Sequence, residues 1–265
     1  MSNSDSSPKT TLPAVILAGG VADPEMAAKY SIENRAEVPI AGKMMLRYVF
    51  DAIRASTHID DIYVVGNIKC DAATKIIPPG QSLLDNLIAG VKACSSDASD
   101  RLVMVSTSDI PFVSTEAIDD LISRCTDPDI DFYYPVIPRE ACEKRFPGMK
   151  RTYARLAEGT FTGGNIMLMR SGFVLKNADL INKVFSARKS VLRLAGLIGL
   201  PTMLRAIIAQ VFMPKALDLL TLEKTVGRII NARVKAVPIH YAEIGSDVDD
   251  LAQVEFAESV LKSAS

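Results

Sequence analysis

The chain alternates short apolar segments with amphipathic helical segments, and this alternation restricts its fold more than any other feature. Apolar segments of strand length occupy residues 13–18, 61–66, 102–106, 131–137 and 234–240. Helical segments cover residues 44–55, residues 82–94, a stretch that begins at Ser114, and residues 249–262. Strands and helices that alternate at this interval predict an α/β fold, with a mostly parallel sheet and helices on both faces.

The pattern changes between residues 179 and 232. Strand signals vanish there, and Leu, Ile, Val and Ala recur with Arg and Lys through helices that are interrupted near Pro201 and Pro214. Because the strand–helix pattern resumes afterwards, we interpret residues 179–232 as a helical insertion in a single domain that spans residues 12–265. The polar residues 1–11 are expected to form a disordered leader.

Basic residues flank apolar positions through residues 183–215, as they do in helices that lie at a bilayer interface. The longest uncharged stretch, residues 194–204, contains Pro201 and is far shorter than the roughly 20 residues that a membrane span needs. Peripheral contact with an anionic membrane or a lipid-linked acceptor is therefore one hypothesis for residues 183–215. A helical subdomain packed on the sheet, or a homodimer interface, is the favoured alternative.

Composition bears on the class of protein, on its compartment and on the kind of metal that it could bind. A formal net charge of −1 argues against a general nucleic-acid-binding protein, because such proteins present a basic surface. The four cysteines form no Cys-x-x-Cys pair and residues 1–11 lack the apolar core of a signal peptide, so we expect a reduced cytoplasmic protein. With His58 and His240 as its only histidines, the chain favours a hard cation on carboxylates over a histidine-based zinc site.

Three motifs follow predicted strands and are expected to meet at one edge of the sheet, where ligands of parallel sheets bind. Gly19-Gly20 follows the first strand, and glycines there let backbone N–H groups approach a phosphate chain. Asp109 follows the third strand in a Ser-Asp-Ile-Pro turn, where its carboxylate can hold Mg²⁺. The run from Asp247 to Asp250 follows the last strand and offers a second carboxylate, although these aspartates can also cap the closing helix.

A basic segment from Arg139 to Arg155 precedes the motif Thr-Phe-Thr-Gly-Gly-Asn at residues 160–165. One interpretation is a mobile wall that binds the phosphate of an acceptor, and the alternative is a solvated basic loop. The residues predicted to contact the acceptor are Lys150, Arg151, Thr162, Gly164 and Asn165.

The order and spacing of these motifs resemble the MobA-like NTP transferases, which belong to the sugar-phosphate and cofactor nucleotidyltransferases. The resemblance is carried by VILAGG, NRAEVPIAGKMM, GQSLLDN, SDIPF, TFTGGN and GSDVDDL, and it covers most of the chain from Pro13 onward. It implies a GT-A-type Rossmann-like fold and an Mg²⁺-dependent transfer from an NTP to a phosphorylated acceptor.

The resemblance also implies roles for individual residues. The nucleotide loop would comprise Leu17, Ala18, Gly19 and Gly20, with Ser108 also near the nucleotide. Gly80, Ser82 and Asn86 would lie by the base and the ribose. Asp109 would be the Mg²⁺ ligand of the family's Asp-hydrophobic-Pro motif, with Asp249 as the second ligand and Asp247 as its substitute.

The chain departs from the family pattern at the cationic positions. Many relatives carry an Arg soon after Gly-Gly, whereas Asp23 and Glu25 occupy this region here. Arg35 stands where relatives have a Lys, and an Arg is a credible phosphate contact. Lys43 is followed by Met instead of Pro. Arg35 and Lys43 are therefore predicted to act in catalysis, and Lys29 is predicted to supply further positive charge to the nucleotide site.

The sequence predicts a nucleotidyltransferase but leaves the base and the acceptor open. A sugar 1-phosphate, a polyol phosphate, a pterin cofactor or a lipid-linked phosphate would each fit as the acceptor. A non-catalytic nucleotide sensor is an alternative, supported by the altered Gly-Gly loop. A GT-A glycosyltransferase is disfavoured, because Ser108–Pro111 supplies one acid where such enzymes usually show Asp-x-Asp.

Overall fold

The computed structural model describes residues 11–95, 100–187 and 217–263. The strands are β1 Leu12–Leu17, β2 Pro39–Ile40, β3 Lys43–Met44, β4 Ile59–Val65, β5 Lys75–Ile77, β6 Leu102–Thr107, β7 Phe132–Pro138, β8 Ala154–Leu156, β9 Gly159–Gly163, β10 Ile166–Arg170 and β11 Val234–Pro238. The α-helices are α1 Pro24–Tyr30, α2 Met45–Ala55, α3 Leu83–Cys94, α4 Thr115–Ser123, α5 Arg139–Arg145, α6 Ser171–Lys176, α7 Ala178–Ala187, α8 Leu219–Ile230 and α9 Leu251–Ser263.

Nine strands form one mixed sheet in the order β5-β4-β1-β6-β10-β7-β9-β8, with β11 paired to β7. The strands β5, β4, β1 and β6 are all parallel, and β11 also runs parallel to β7. The pairings of β10 with β6 and β7, and of β9 with β7 and β8, are antiparallel. The predicted α/β sheet is confirmed, and its antiparallel part lies beyond β6.

Helices cover both faces of the sheet, as predicted. Every residue of β1 is buried, which explains why this strand is continuously apolar. Met104 of β6 packs with residues of α2, α4 and α9 on one face, whereas Val103 and Val105 pack with residues of α3, α6 and α8 on the other. Because successive side chains of β6 point to opposite faces of the sheet, this one strand contributes to two separate cores.

The basic segment from Arg139 to Arg155, interpreted as a mobile wall or a solvated loop, contains regular structure at both ends. This segment begins as α5, and its end at Ala154 enters the hairpin β8–β9, which joins the main sheet. The hairpin strands are short and contain glycine and polar residues, so they lack the apolar alternation that identifies a strand in the sequence. The strands β5 and β10 and the short helices α1, α5 and α6 were also not predicted.

The predicted helical insertion is described only at its two ends. The helix α7 leads into residues 188–216, which lie outside the described residues, and α8 follows them. The proposed breaks at Pro201 and Pro214, the leader up to residue 10 and most of the membrane or dimer surface at 183–215 also lie outside them. Among the helices that are described, none has the length and apolarity to cross a bilayer.

Gly90 of α3 provides a test of this packing. A Cβ added there would lie 2.4 Å from Cγ1 of Val15 and 3.1 Å from Cγ2 of Val65, and both valines are fully buried in the sheet. Overpacking costs about 1–3 kcal/mol, whereas alanine gains at most about 1 kcal/mol over glycine as a helix former. We expect Gly90→Ala to lower the free energy of unfolding in urea denaturation.

Lys92→Ala on the same helix is the matched control, because its side chain is exposed. It should leave the urea midpoint nearly unchanged. A Gly90→Ala protein at least as stable as the wild type would contradict the close helix–sheet contact.

Candidate active site

The three motifs predicted to meet at the sheet edge do meet there. Gly19 and Gly20 follow β1, and Asp109 follows β6, the neighbour of β1 in the sheet. The segment 245–250 follows β11 and a short 3₁₀ helix, Ala242–Gly245. The backbone N–H of Val248 donates to the carbonyl of Asp109 at 2.8 Å, so the acidic segment lies directly against the end of β6.

Arg35 lies between the two acids that were predicted as metal ligands. Its Nη2 is 2.8 Å from Oδ2 of Asp109, and its Nη1 contacts Oδ1 of Asp249. A Cβ on Gly20 would lie 3.4 Å from the same Nη2. One guanidinium therefore joins both carboxylates beside the Gly-Gly loop.

Asp109 is held in place by several contacts. Its side chain is 5% exposed, and Thr107 donates its hydroxyl to Oδ1 at 2.5 Å. Burial raises the pKa of Asp109, the positive charge of Arg35 and the Thr107 hydrogen bond lower it, and the charge of Asp249 raises it again. The carboxylate is thus a buried acid that depends on a nearby cation.

Asp247 is a second acid of this corner whose ionisation is disfavoured. Burial, together with the charges of Asp249 and Asp109, raises the pKa of Asp247 to about 6. Three carboxyl groups therefore share one corner of the molecule, with the single guanidinium of Arg35 between two of them. Such a corner gains from a further cation.

The start of α9 fixes the backbone next to Asp249. The backbone N–H of Gln253 donates to Oδ1 of Asp250 at 2.8 Å, and Oε1 of Gln253 accepts from the N–H groups of Asp249 and Asp250. This reciprocal arrangement is a capping box. The expectation that an aspartate of this run caps the closing helix is therefore confirmed for Asp250, which leaves the Asp249 carboxylate free to face Arg35.

The residues predicted for nucleotide binding lie around the Gly-Gly loop. The side chains of Leu17 and Ala18 are buried, so these two residues would contact a nucleotide through their backbone. Asn86 accepts from the backbone N–H of Gly80 at 2.6 Å, and a Cβ on Gly19 would lie 2.5 Å from its Nδ2. Ser82 caps α3, and Ser108 is buried next to Asp109. The loop after β1 and the start of α3 are thus in direct contact.

A cavity of about 460 Å³ opens beside this loop, lined by Gly19, Gly20, Val21, Ser31, Ile32, Glu33, Asn34, Glu37, Asn67 and Pro79. Asn34 donates to the carbonyl of Ala18 at 2.7 Å and shapes the cavity wall. The described lining contains Glu33 and Glu37 but neither a lysine nor an arginine. Arg35 lies next to Gly20, which is part of this lining.

The two lysines predicted for this site point to other partners. Lys29 Nζ lies 3.5 Å from Oε1 of Glu255 on α9. Lys43 Nζ lies 2.7 Å from Oδ2 of Asp51 and 4.5 Å from the centre of the Tyr48 ring. Both lysines would have to leave these pairs to reach a phosphate.

A second cavity, of about 650 Å³, is lined in part by Asp249. Its lining comprises Tyr134, Lys150, Arg151, Thr152, Thr162, Gly163, Gly164, Asn165, Gly245, Asp247, Asp249 and Gln253. It thus includes all five residues that were predicted to contact the acceptor. Asn165 also joins the cavity to Asp109, because its side chain donates to the Thr107 hydroxyl at 3.3 Å.

The glycine pair in this cavity has an internal packing role. A Cβ on Gly163 would lie 1.9 Å from the Tyr134 hydroxyl, and a Cβ on Gly164 would lie 2.8 Å from both Ile244 and Pro135. Gly164 was predicted to contact the acceptor, and the missing side chains of this pair also make room for neighbouring residues. Tyr134, which sequence reasoning missed, thereby reaches the cavity lining.

A metal at this site would take few protein ligands. Among the described residues, no group of three or more His, Cys, Asp or Glu side chains is arranged to hold an ion. Mg²⁺ in nucleotide sites is usually bound by one or two carboxylates, with water and phosphates completing the shell. The pair Asp109 and Asp249 fits that requirement, because both carboxylates already converge on one cation.

The fold and the site indicate a nucleotidyltransferase: a Rossmann-like sheet with two cavities that Arg35 connects through Gly20 and Asp249. The profile of the MobA-like NTP transferase domain matches residues 14–217, and the chain belongs to that family. Comparison with curated protein sequences gives no significant match.

Similar solved structures agree with this assignment. A structure described as a hypothetical transferase from Thermus thermophilus is 32% identical, with a TM-score of 0.81 over 92% of this chain and 100% of that one. A 4-diphosphocytidyl-2C-methyl-D-erythritol synthase from Anaerococcus prevotii shares the fold at 12% identity, with a TM-score of 0.59 over 96% and 99% of the two chains. A CMP:2-keto-3-deoxy-manno-octonic acid synthetase complexed with CTP does so at 16% identity, with a TM-score of 0.60 over 97% and 100%.

The raised pKa of Asp247, about 6, generates a prediction on stability. An acid with a raised folded-state pKa costs stability as pH rises from its unfolded pKa through its folded pKa, so this cost is still small near pH 4 and fully present above about pH 7. Asp247→Asn removes the cost. After allowance for partial solvent exposure, we expect the variant to gain about 1 kcal/mol in unfolding free energy at pH 8 relative to its effect at pH 4.

Urea denaturation at both pH values in EDTA measures this difference. The control is Asp129→Asn, an exposed acid that pairs with Arg233 away from the site. An Asp247→Asn effect of equal size at pH 4 and pH 8 would contradict the prediction.

Proposed function

We propose that this nucleotidyltransferase moves an NMP group from an NTP to a small phosphorylated acceptor, in a Mg²⁺-dependent reaction that releases pyrophosphate. The observation that carries the proposal is that Arg35 connects the two cavities, because it lies next to Gly20 in the lining of one and contacts Asp249 in the lining of the other. An NTP in the cavity by the Gly-Gly loop would place its α-phosphate near these residues. An acceptor in the second cavity would approach from the opposite side.

Asp109 and Asp249 are the proposed ligands of Mg²⁺, with Asp247 as a further acid nearby. When bound, the ion supplies positive charge to the phosphate groups during transfer. The nucleotide side needs such charge, because the two glutamates in its lining would repel a triphosphate. Arg35 would turn one or both of its N–H edges from the carboxylates to the phosphates, since a planar guanidinium binds either partner well.

In the proposed reaction, an oxygen of the acceptor phosphate attacks the α-phosphorus in line. The bond between the α-phosphorus and the bridging oxygen breaks, and that oxygen leaves with the β- and γ-phosphates as pyrophosphate. A phosphate acceptor is already a nucleophile, so the site needs no general base. Positioning and neutralisation of charge provide the catalysis.

The second cavity has the chemistry to bind such an acceptor. Lys150 is exposed and offers a cation for the acceptor phosphate. Thr162, Asn165 and Tyr134 offer neutral hydrogen-bonding groups along the same wall. A phosphate that carries hydroxyl groups, such as a sugar or polyol phosphate, matches this exposed cation and these neutral groups, with Mg²⁺ offsetting the charges of Asp247 and Asp249 in the same lining.

A nucleotide sensor without turnover is the second candidate. Two observations favour it. The described lining of the cavity beside the Gly-Gly loop, the nucleotide-side cavity, contains no lysine or arginine. Lys29 and Lys43 already pair with Glu255 and Asp51. Release of pyrophosphate with any pair of NTP and acceptor supports the enzyme. Tight NTP binding without release across a broad acceptor panel would support the sensor.

A thermal-shift screen of ATP, CTP, GTP and UTP, each with and without Mg²⁺, tests the proposal directly. A ligand that binds only the folded state raises the melting temperature, by an amount that grows with concentration over Kd. We expect one base to be preferred and its shift to be larger with Mg²⁺. The two synthases that share the fold carry cytidyl chemistry in their names, which makes CTP the first nucleotide to test.

Asp109→Ala should abolish the Mg²⁺-dependent part of that shift, because it removes the most buried of the proposed ligands. The matched control is Asp129→Ala, which removes an exposed carboxylate outside both cavities. An unchanged Mg²⁺-dependent shift in Asp109→Ala would rule Asp109 out as a ligand.

A further inference from the structure

The segment 245–250 carries two of the three clustered acids, so its position decides where they point. It is held in the middle by the hydrogen bond from Val248 to Asp109, and at its end by the capping box of Asp250 and Gln253. Its beginning, Gly245 and Ser246, is held from a different part of the chain, by Arg151.

Arg151 directs its guanidinium at this segment. Its Nη1 donates to the carbonyl of Gly245, and its Nη2 donates to the hydroxyl of Ser246. Ser246 is fully buried and donates that hydroxyl to the carbonyl of Ala242 at 2.6 Å. A chain of hydrogen bonds therefore runs from Arg151 through Ser246 to the short helix that precedes the acids.

The remaining contacts show that Arg151 has little capacity left for a ligand. Its Nη2 also lies 3.4 Å from the sulfur of Met149, and its Nε is buried without a hydrogen-bond partner. A buried N–H that solvent cannot reach is also closed to a phosphate in the cavity. The fork that would bind a phosphate in two places is thus occupied by the segment itself.

Gly245 packs closely against its neighbours, so a side chain at this position would disturb the contact with Arg151. A Cβ on Gly245 would lie 2.8 Å from the carbonyl of Gly163 in β9 and 3.3 Å from Nη1 of Arg151. The segment therefore runs directly against β9, the strand that forms the acceptor-side wall of the second cavity. Arg151 reaches the segment from the same side, since it precedes the β8–β9 hairpin.

We infer that Arg151 is a positioning residue that fixes the segment bearing Asp247 and Asp249 against the acceptor-side wall, instead of binding the acceptor. The exposed Lys150 next to it then carries the charge that meets the acceptor phosphate. The effect of Arg151 on the metal rests on the proposed function, whereas its hold on the segment does not.

The first test measures the segment itself. Hydrogen–deuterium exchange of the peptide that contains residues 246–250 should be about tenfold faster in Arg151→Met, because local opening becomes easier when a fixed end is released. Arg139→Met is the matched control, since Arg139 pairs with Glu143 on the surface of α5 and has no contact with the segment. Unchanged exchange in Arg151→Met would overturn the inference.

The second test separates positioning from a purely structural role. In the presence of whichever of the four NTPs binds best, Mn²⁺ should bind about tenfold more weakly to Arg151→Met, whereas NTP affinity in EDTA should be unchanged. Faster exchange with unaltered Mn²⁺ affinity would reduce Arg151 to a structural contact and overturn its positioning role. If the wild type binds no Mn²⁺ at all, the proposed metal site fails, while the exchange result still decides whether Arg151 holds the segment.

Two further variants cover the case in which Arg151→Met does not fold. Ser246→Ala removes one acceptor of the guanidinium with little change in volume, and it should give a smaller change of the same sign in both tests. Arg151→Lys keeps the charge but cannot bridge the two oxygens as a planar fork. We expect it to restore neither exchange nor Mn²⁺ affinity fully, and full rescue by lysine would overturn the requirement for the fork.

Discussion

The contact between Arg35 and the two carboxylates of Asp109 and Asp249 is the interaction on which the whole site depends. It joins three segments that lie far apart in the chain, and it compensates charge where one of the acids is almost fully buried. Buried carboxylates without a nearby cation are costly, and breaking such a pair is strongly destabilising. One guanidinium thus links the Gly-Gly loop, the end of β6 and the start of α9.

The two halves of the sheet carry different cavities. The parallel half, β5 to β6, carries the Gly-Gly loop and the nucleotide-side cavity. The antiparallel half carries the second cavity, through β9 and the start of β10. The two halves meet where β10 pairs with β6, and there Asn165 contacts Thr107, which in turn contacts Asp109. A change on the acceptor side is thus two hydrogen bonds away from the buried acid.

Much of this arrangement could be predicted from the sequence, for local reasons. Fully buried strands such as β1 are continuous apolar runs, and a motif placed after such a strand must lie at the sheet edge. The β8–β9 hairpin could not be predicted, because its short strands lack apolar alternation and Gly163 makes room for Tyr134, a residue distant in sequence. The partners of Arg151, Lys29 and Lys43 are likewise distant in sequence, so residue type alone suggested phosphate contacts for side chains that pair within the protein.

The strand order has a consequence for how copies of the chain can associate. The two ends of the order are β5 and β8, and each is only three residues long. Two prolines follow β5 directly, and an exposed arginine sits in the centre of β8. Edge strands that are short, charged or followed by proline offer few backbone hydrogen bonds to a strand of another molecule. Extension of the sheet from one molecule to another is therefore disfavoured at β5 and at β8. At the third border, β11 beside β7, Oε1 of Glu223 already accepts the backbone N–H of Ala236.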